Sequence, residues 1–239
     1  MEKETSRVEA FSDGVFAIAL TLLVLGIKVP ETAGTFTNET LYLALLKLWP
    51  SLFAFVLSFF TVLIMWINHH GFFKYLKKIS PAFLYANGFL LLMVTFINFP
   101  TYVLANSLNT PAINTAAAFY CGTIVLVNVA YNLLWFTSAY RRRLLRDEVS
   151  DALIFKIRNA YLVSFGIYLA AFAVSFYFPL TGLLICISLW VLWLFLDYEK
   201  KVKSKYYRQY ENRNGFRPRR IRTESTFEVT AESVEPHHR

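Results

Sequence analysis

Six stretches of this 239-residue chain are apolar over lengths that match a bilayer, and few folds can accommodate that. The runs are Ser12–Ile27, Pro50–Asn68, Pro81–Leu104, Ala112–Ala139, Asn159–Phe178 and Leu180–Asp197. A helix of roughly 20 such residues crosses a hydrocarbon core about 30 Å thick. Within lipid every backbone polar group must be paired internally, so runs of this length predict helices. The fold class expected is therefore all-α: a polytopic membrane protein of six transmembrane helices. Composition agrees, with 56% hydrophobic and 18% aromatic residues, above the ordinary soluble range of about 45–50% apolar. Residues 1–198 are expected to form one membrane domain, and 199–239 a basic, largely disordered cytoplasmic tail.

Charge fixes the orientation. The net charge of +8 suggests nucleic acid only until the basic residues are placed. If the chain alternates sides at each span, 22 of the 24 Lys and Arg residues fall on one side. They lie at the N-terminus, in the second and fourth connections and after Asp197, whereas only Lys28 and Lys47 fall on the other side. That asymmetry predicts N- and C-termini in the cytoplasm and a multi-pass location in a cell membrane. It excludes a nucleic-acid partner and leaves anionic lipids as possible contacts of the basic loops and tail. The first span does not read as a cleaved signal peptide, because Asp13 interrupts its start and no small-x-small site follows. Cys121 and Cys186 both fall inside spans and read as small core residues.

Polar groups inside the spans are few, and each needs a partner or a purpose. Ser12 and Asp13 sit near the cytoplasmic end of the first span; Trp66, Asn68, His69 and His70 sit at that end of the second. Antiparallel neighbours bring these to one depth, so a hydrogen-bonded network joining them is expected. Such a network can simply clamp helices; alternatively His69 or His70 senses pH, or Asp13 relays protons. No carboxylate or thiol stands at ligand spacing from the histidine pair, so no metal and no cofactor is expected. On a helical wheel, Leu22 and Leu25 fall within about 40° of Ile18, while Asp13 lies about 140° away. The first helix thus has one aliphatic face and one face anchored by an acid. Lipid exposure and a pore lining account equally well for such a stripe.

The run Arg7-Val8-Glu9-Ala10-Phe11-Ser12-Asp13 resembles the Arg-x-x-x-Phe-Ser-Asp signature that opens the first helix of the transmembrane protein 175 family. The residues from Gly14 to Val24, and the Trp66…Asn68-His69-His70 end of the second span, are similar to that family's first two helices. The resemblance runs over roughly residues 5–198. It implies a potassium-permeable cation channel and no enzyme: a homotetramer whose pore is lined by helix 1 of each copy, with permeant K+ and no Thr-Val-Gly-Tyr-Gly filter. It implies a hydrophobic gate of Ile18, Leu22 and Leu25, with Thr21 as a candidate for ion selectivity. It also implies an inter-helix network of Arg7, Ser12, Asp13, Trp66, Asn68, His69 and His70. The wheel places Arg7 on the stripe side, which leaves its role open. The alternative is a proton- or ion-coupled secondary transporter that uses Asp13 and the histidines. Against it stand the absence of an internal repeat and the scarcity of midplane charge.

Overall fold

The computed structural model describes residues 2–28, 35 and 37–194. Its helices, in chain order, are α1 (Glu2–Leu22), α2 (Asn38–Lys47), α3 (Trp49–Phe73), α4 (Pro81–Phe96), α5 (Asn98–Ser107), α6 (Ile113–Ala139), α7 (Asp151–Ser175) and α8 (Pro179–Leu194). Among the described residues the only β-type pairing is an isolated bridge between Leu76 and Leu145. Five spans are long and apolar enough to cross a membrane, with α4 and α5 together counting as one. The chain is thus a multi-pass α-helical membrane protein. The end of the sixth expected span, at 195–197, lies outside the described residues, as do the tail and its expected disorder.

Three boundaries differ from the hydropathy reading, each for a local reason. α1 starts ten residues before Ser12, because Glu2, Lys3, Glu4, Arg7 and Glu9 are good helix formers although not apolar. Acids in its first turns also favour the positive end of the helix dipole. Arg7 therefore lies well inside the helix. α7 likewise starts at Asp151, capped by the Ser150 side chain accepting from the Leu153 amide, although Lys156 and Arg158 lower its hydropathy. The third span breaks at Ile97. Pro100 has no N–H to offer Phe96 and its ring crowds that carbonyl. Asn98 Nδ2 donates to the Thr95 carbonyl (3.2 Å) beside the break.

The bundle is built around α6, which packs against α4, α5, α7 and α8; α3 bridges α1, α5 and α8. Small polar side chains join helices at several levels. Ser58 Oγ lies 2.6 Å from Thr101 Oγ1 and donates to the Tyr120 hydroxyl (3.2 Å), linking α3, α5 and α6. Asn128 Nδ2 donates to Ser164 Oγ (2.9 Å) between α6 and α7, and the Tyr131 hydroxyl donates to the Met65 carbonyl (2.6 Å). In lipid the hydrophobic effect does not separate helix from helix, so packing and pairs of this kind hold the bundle. Cys121 and Cys186 are buried free thiols with sulfurs 3.7 Å apart, and they serve as packing residues.

At the basic end, the α3–α4 and α6–α7 connections are stitched together. Lys77 N donates to the Leu144 carbonyl (2.9 Å), Arg146 N to that of Tyr75 (2.8 Å) and Arg146 Nε to that of Leu76 (3.1 Å). Lys77 also pairs with Asp147 at 2.7 Å, and its hydrogen bond and charge hold that carboxyl below the usual carboxylate range.

The α7–α8 hairpin closes over a glycine. A Cβ on Gly182 would stand 1.9 Å from Ser175 Oγ and 2.8 Å from the Ala171 carbonyl oxygen, so only hydrogen fits. Gly182→Val should destabilise the protein by about 1–3 kcal/mol through overpacking. Gly166→Ala, with nothing within 4 Å of the added carbon, should be neutral or stabilising. Thermal unfolding of both variants in detergent measures the difference.

Candidate functional site

Only 22% of the most apolar stretch of the first helix is buried within the protomer, against 67% for α6. The buried part is one face, made by Ser12, Phe16, Ala19 and Leu23, with Glu9 and Asp13 half-buried at its edge. Glu9 and Asp13, one turn apart on α1, look across at His70 and Trp66, one turn apart on the antiparallel α3. Trp66 Nε1 donates to Asp13 Oδ1 at 2.9 Å, and His70 Nδ1 lies 3.0 Å from Glu9 Oε1. The Trp66 and His70 rings stack, with centroids 6.0 Å apart and planes 25° from parallel. Two i,i+4 pairs thus meet in register, the shorter acid on the indole and the longer acid on the imidazole.

A second chain of hydrogen bonds runs deeper, through α1, α4 and α3. Ser12 Oγ donates to the Val8 carbonyl (2.8 Å) and accepts from Asn87 Nδ2 (3.0 Å). Asn87 Oδ1 then faces His69 Nε2 at 2.9 Å. Because the Asn87 amide donates to the serine, its oxygen accepts and His69 Nε2 carries the proton. Ser12 and His69 are fully buried, and the His69 ring rests between Phe16 (5.2 Å) and Phe73 (4.8 Å). His69 Nδ1 is buried without a hydrogen-bond partner.

Of the residues expected in one network, Ser12, Asp13, Trp66, His69 and His70 therefore converge on the α1–α3–α4 seam. Two stand apart from it within the protomer. Asn68 Nδ2 donates to the Ile64 carbonyl on its own helix (2.8 Å), its oxygen is buried without a hydrogen-bond partner, and the residue lines a small cavity of about 40 Å³ beside Tyr131 and Tyr168. Arg7 is exposed on the stripe side, next to Glu4 and Phe11, in an open groove against α4. Glu9 and Asn87 join the seam without having been expected there. Glu9 was readable from its spacing of four from Asp13; Asn87 was visible as an intramembrane polar residue, but its partners depend on how α4 docks. Among the described residues no three His, Cys, Asp or Glu side chains are placed to hold one metal ion together, and what the seam shows is hydrogen bonds and charge.

The opposite face of α1 is bare. Ile18 is 58%, Leu22 45% and Leu25 66% exposed, and Phe11 continues the stripe. Thr21 stands at its edge with its hydroxyl donating to the Ile18 carbonyl (2.9 Å). Phe16, Ala19 and Leu23, on the seam side, are buried. The wheel's two faces are thus the two faces of the folded helix. Beyond Leu22 the helix tightens into a 3-10 turn (Leu23–Gly26), which packs on α3 and α5.

Asn87→Leu removes both the donor to Ser12 and the acceptor of His69, and orphaning a buried polar group costs about 1–3 kcal/mol. Asn87→Leu should therefore destabilise the protein more than Ser12→Ala, which strands the Asn87 amide alone. Thermal midpoints of the two variants in one detergent give the order.

The sequence model of a family described as "Endosomal/lysosomal potassium channel TMEM175" matches residues 7–97, which hold the α1–α3–α4 seam. A potassium channel of Chamaesiphon minutus is 45% identical over 180 residues, covering 73% of this chain and 86% of its own length. A potassium channel of a Chryseobacterium species is 30% identical over 200 residues, covering 83% of this chain and 97% of its own. The crystal structure of a lysosomal potassium-selective channel TMEM175 homolog from Chamaesiphon minutus superposes with a TM-score of 0.72 at 40% identity, covering 83% of this chain and 100% of that one. The chain belongs to the TMEM175 family of potassium channels.

Proposed function

We propose that four copies of this chain form a potassium-permeable cation channel whose pore is lined by α1 of each subunit, with both termini in the cytoplasm of a cell membrane. The observation that carries the reading is the split of α1 into a pinned polar face and a bare aliphatic one. Asp13, Ser12 and Glu9 hold the helix to α3 and α4, and this aims Ile18, Leu22 and Leu25 away from the protomer. Four such stripes around one axis make a narrow apolar constriction. It gates by expelling water, because a cation entering it loses hydration without gaining ligands. Opening then needs only a small tilt or rotation of α1, after which the site rewets. No Thr-Val-Gly-Tyr-Gly filter occurs in the sequence.

Thr21 fits an ion contact for a specific reason. Its hydroxyl hydrogen is committed to the Ile18 carbonyl, so oxygen lone pairs are what it presents at the stripe's edge. A partly dehydrated cation takes oxygen ligands of that kind. With so few fixed ligands, preference for potassium over sodium should be modest. The 22 basic residues that the alternating topology assigns to the inner side favour contact with anionic headgroups there.

Recording purified protein in planar bilayers, with potassium on one side and sodium on the other, tests the proposal. Unitary current steps are expected. Saturable flux coupled to a proton gradient, without steps, would instead establish the secondary-transporter reading. Ile18→Asn should raise current while the oligomer still assembles; unchanged conductance in an intact oligomer would remove Ile18 from the gate. Asp13→Ala frees Trp66 and loosens α1, so it should lower oligomer yield, read by size-exclusion chromatography, more than it shifts the reversal potential.

A further inference from the structure

On the outside of the bundle, away from α1, a groove of about 570 Å³ runs between α6 and α7 in the half next to the basic loops. Leu133 and Phe136 form one wall and Leu162 and Phe165 the other, with Trp135 in the floor. Leu133, Phe136 and Leu162 are each more than 40% exposed. One charge lines the groove. Arg158 lies two helical turns into α7, about 12 Å past the Ser150 cap, on the same face as Leu162 and Phe165 one and two turns deeper.

Among the described residues Arg158 has no carboxylate partner. Its guanidinium lies over the Phe155 ring, 4.8 Å from the centroid, and it makes no ion pair with a described residue. The nearby acids Asp147 and Asp151 are paired with Lys77 and Arg142. An arginine on the flank of a membrane-spanning helix reaches towards the interface along its aliphatic stem. There it needs an anion, and the fork of a guanidinium matches a phosphate. Below it the groove offers apolar walls at the depth of acyl chains.

We propose that this groove is a binding site for one anionic diacyl phospholipid: the headgroup phosphate sits on Arg158 and one acyl chain lies between Leu133–Phe136 and Leu162–Phe165. Charge complementarity selects the occupant. A phospholipid supplies both an anion for the guanidinium and an acyl chain for the apolar walls. The site lies on α6 and α7 and involves no residue proposed for the pore, so its test does not rest on that reading.

Trp135 makes the site measurable, because bromine on a lipid chain quenches a nearby indole. The protein is reconstituted in dioleoylphosphatidylcholine vesicles containing either brominated phosphatidylglycerol or brominated phosphatidylcholine. The Trp135 contribution is obtained by difference from Trp135→Phe. We expect brominated phosphatidylglycerol to quench that component with roughly fivefold stronger association than brominated phosphatidylcholine, the effect of one basic residue near the surface. Arg158→Gln should equalise the two lipids, and Arg158→Lys should keep most of the preference. Equal quenching in the wild type, or a preference that survives Arg158→Gln, overturns the proposal. So does the absence of Trp135-dependent quenching by either lipid, the result expected if a second copy covers the groove. Native mass spectrometry of the wild type and Arg158→Gln checks the result without touching the tryptophan: the variant should lose one phosphatidylglycerol adduct per subunit, and an unchanged number counts against the site.

Discussion

The pinning of one polar edge of α1 onto α3 and α4 decides most of what this protein can be. A helix with so little of its surface buried would be free to roll if packing alone held it. The carboxylate of Asp13 on the Trp66 indole, and the serine–asparagine–histidine chain behind it, remove that freedom. Each bond has a high cost of breaking because lipid offers no replacement partner. Rotational register is what those bonds provide, and an aliphatic stripe is useful only if its register is fixed. The acids of α1 thus act on the stripe from the far side of the helix.

The rest of the bundle follows the same rule with weaker groups. Between α3, α5 and α6 the joints are hydroxyls; between α6 and α7 they are an amide and a serine. Stronger charges are kept to the ends, where Lys77, Arg142 and Arg146 tie loops to one another. The α7–α8 hairpin needs a bare backbone at Gly182 because Ser175 occupies the space that a side chain would take. Polarity is therefore graded with depth, as the cost of burying it requires.

Much of this was legible in the residues. Five of the six expected spans, the paired polar ends of the first two and the two faces of α1 follow from run length, antiparallel neighbours and a 3.6-residue period. The start of α1 at Glu2 was not, because hydropathy is blind to a helix built from charged formers. The break at Ile97 could have been read from Pro100 alone. Asn87 and Asn68 show the real limit: each is an asparagine inside a span, yet one links three helices and the other bonds to its own backbone. Which does which depends on the rotation of a docked neighbour, and no spacing rule encodes that. The family was legible mainly in seven residues at fixed spacing, Arg7 to Asp13, which said more than composition did.

The break at Ile97 divides the support of the first helix between two rods. α4 carries the N-terminal half through Asn87 and Ser12, while α5 braces the 3-10 turn at the C-terminal end. A continuous helix would transmit any sideways push along its whole length. A jointed one does not, so the two ends of α1 rest on separate supports.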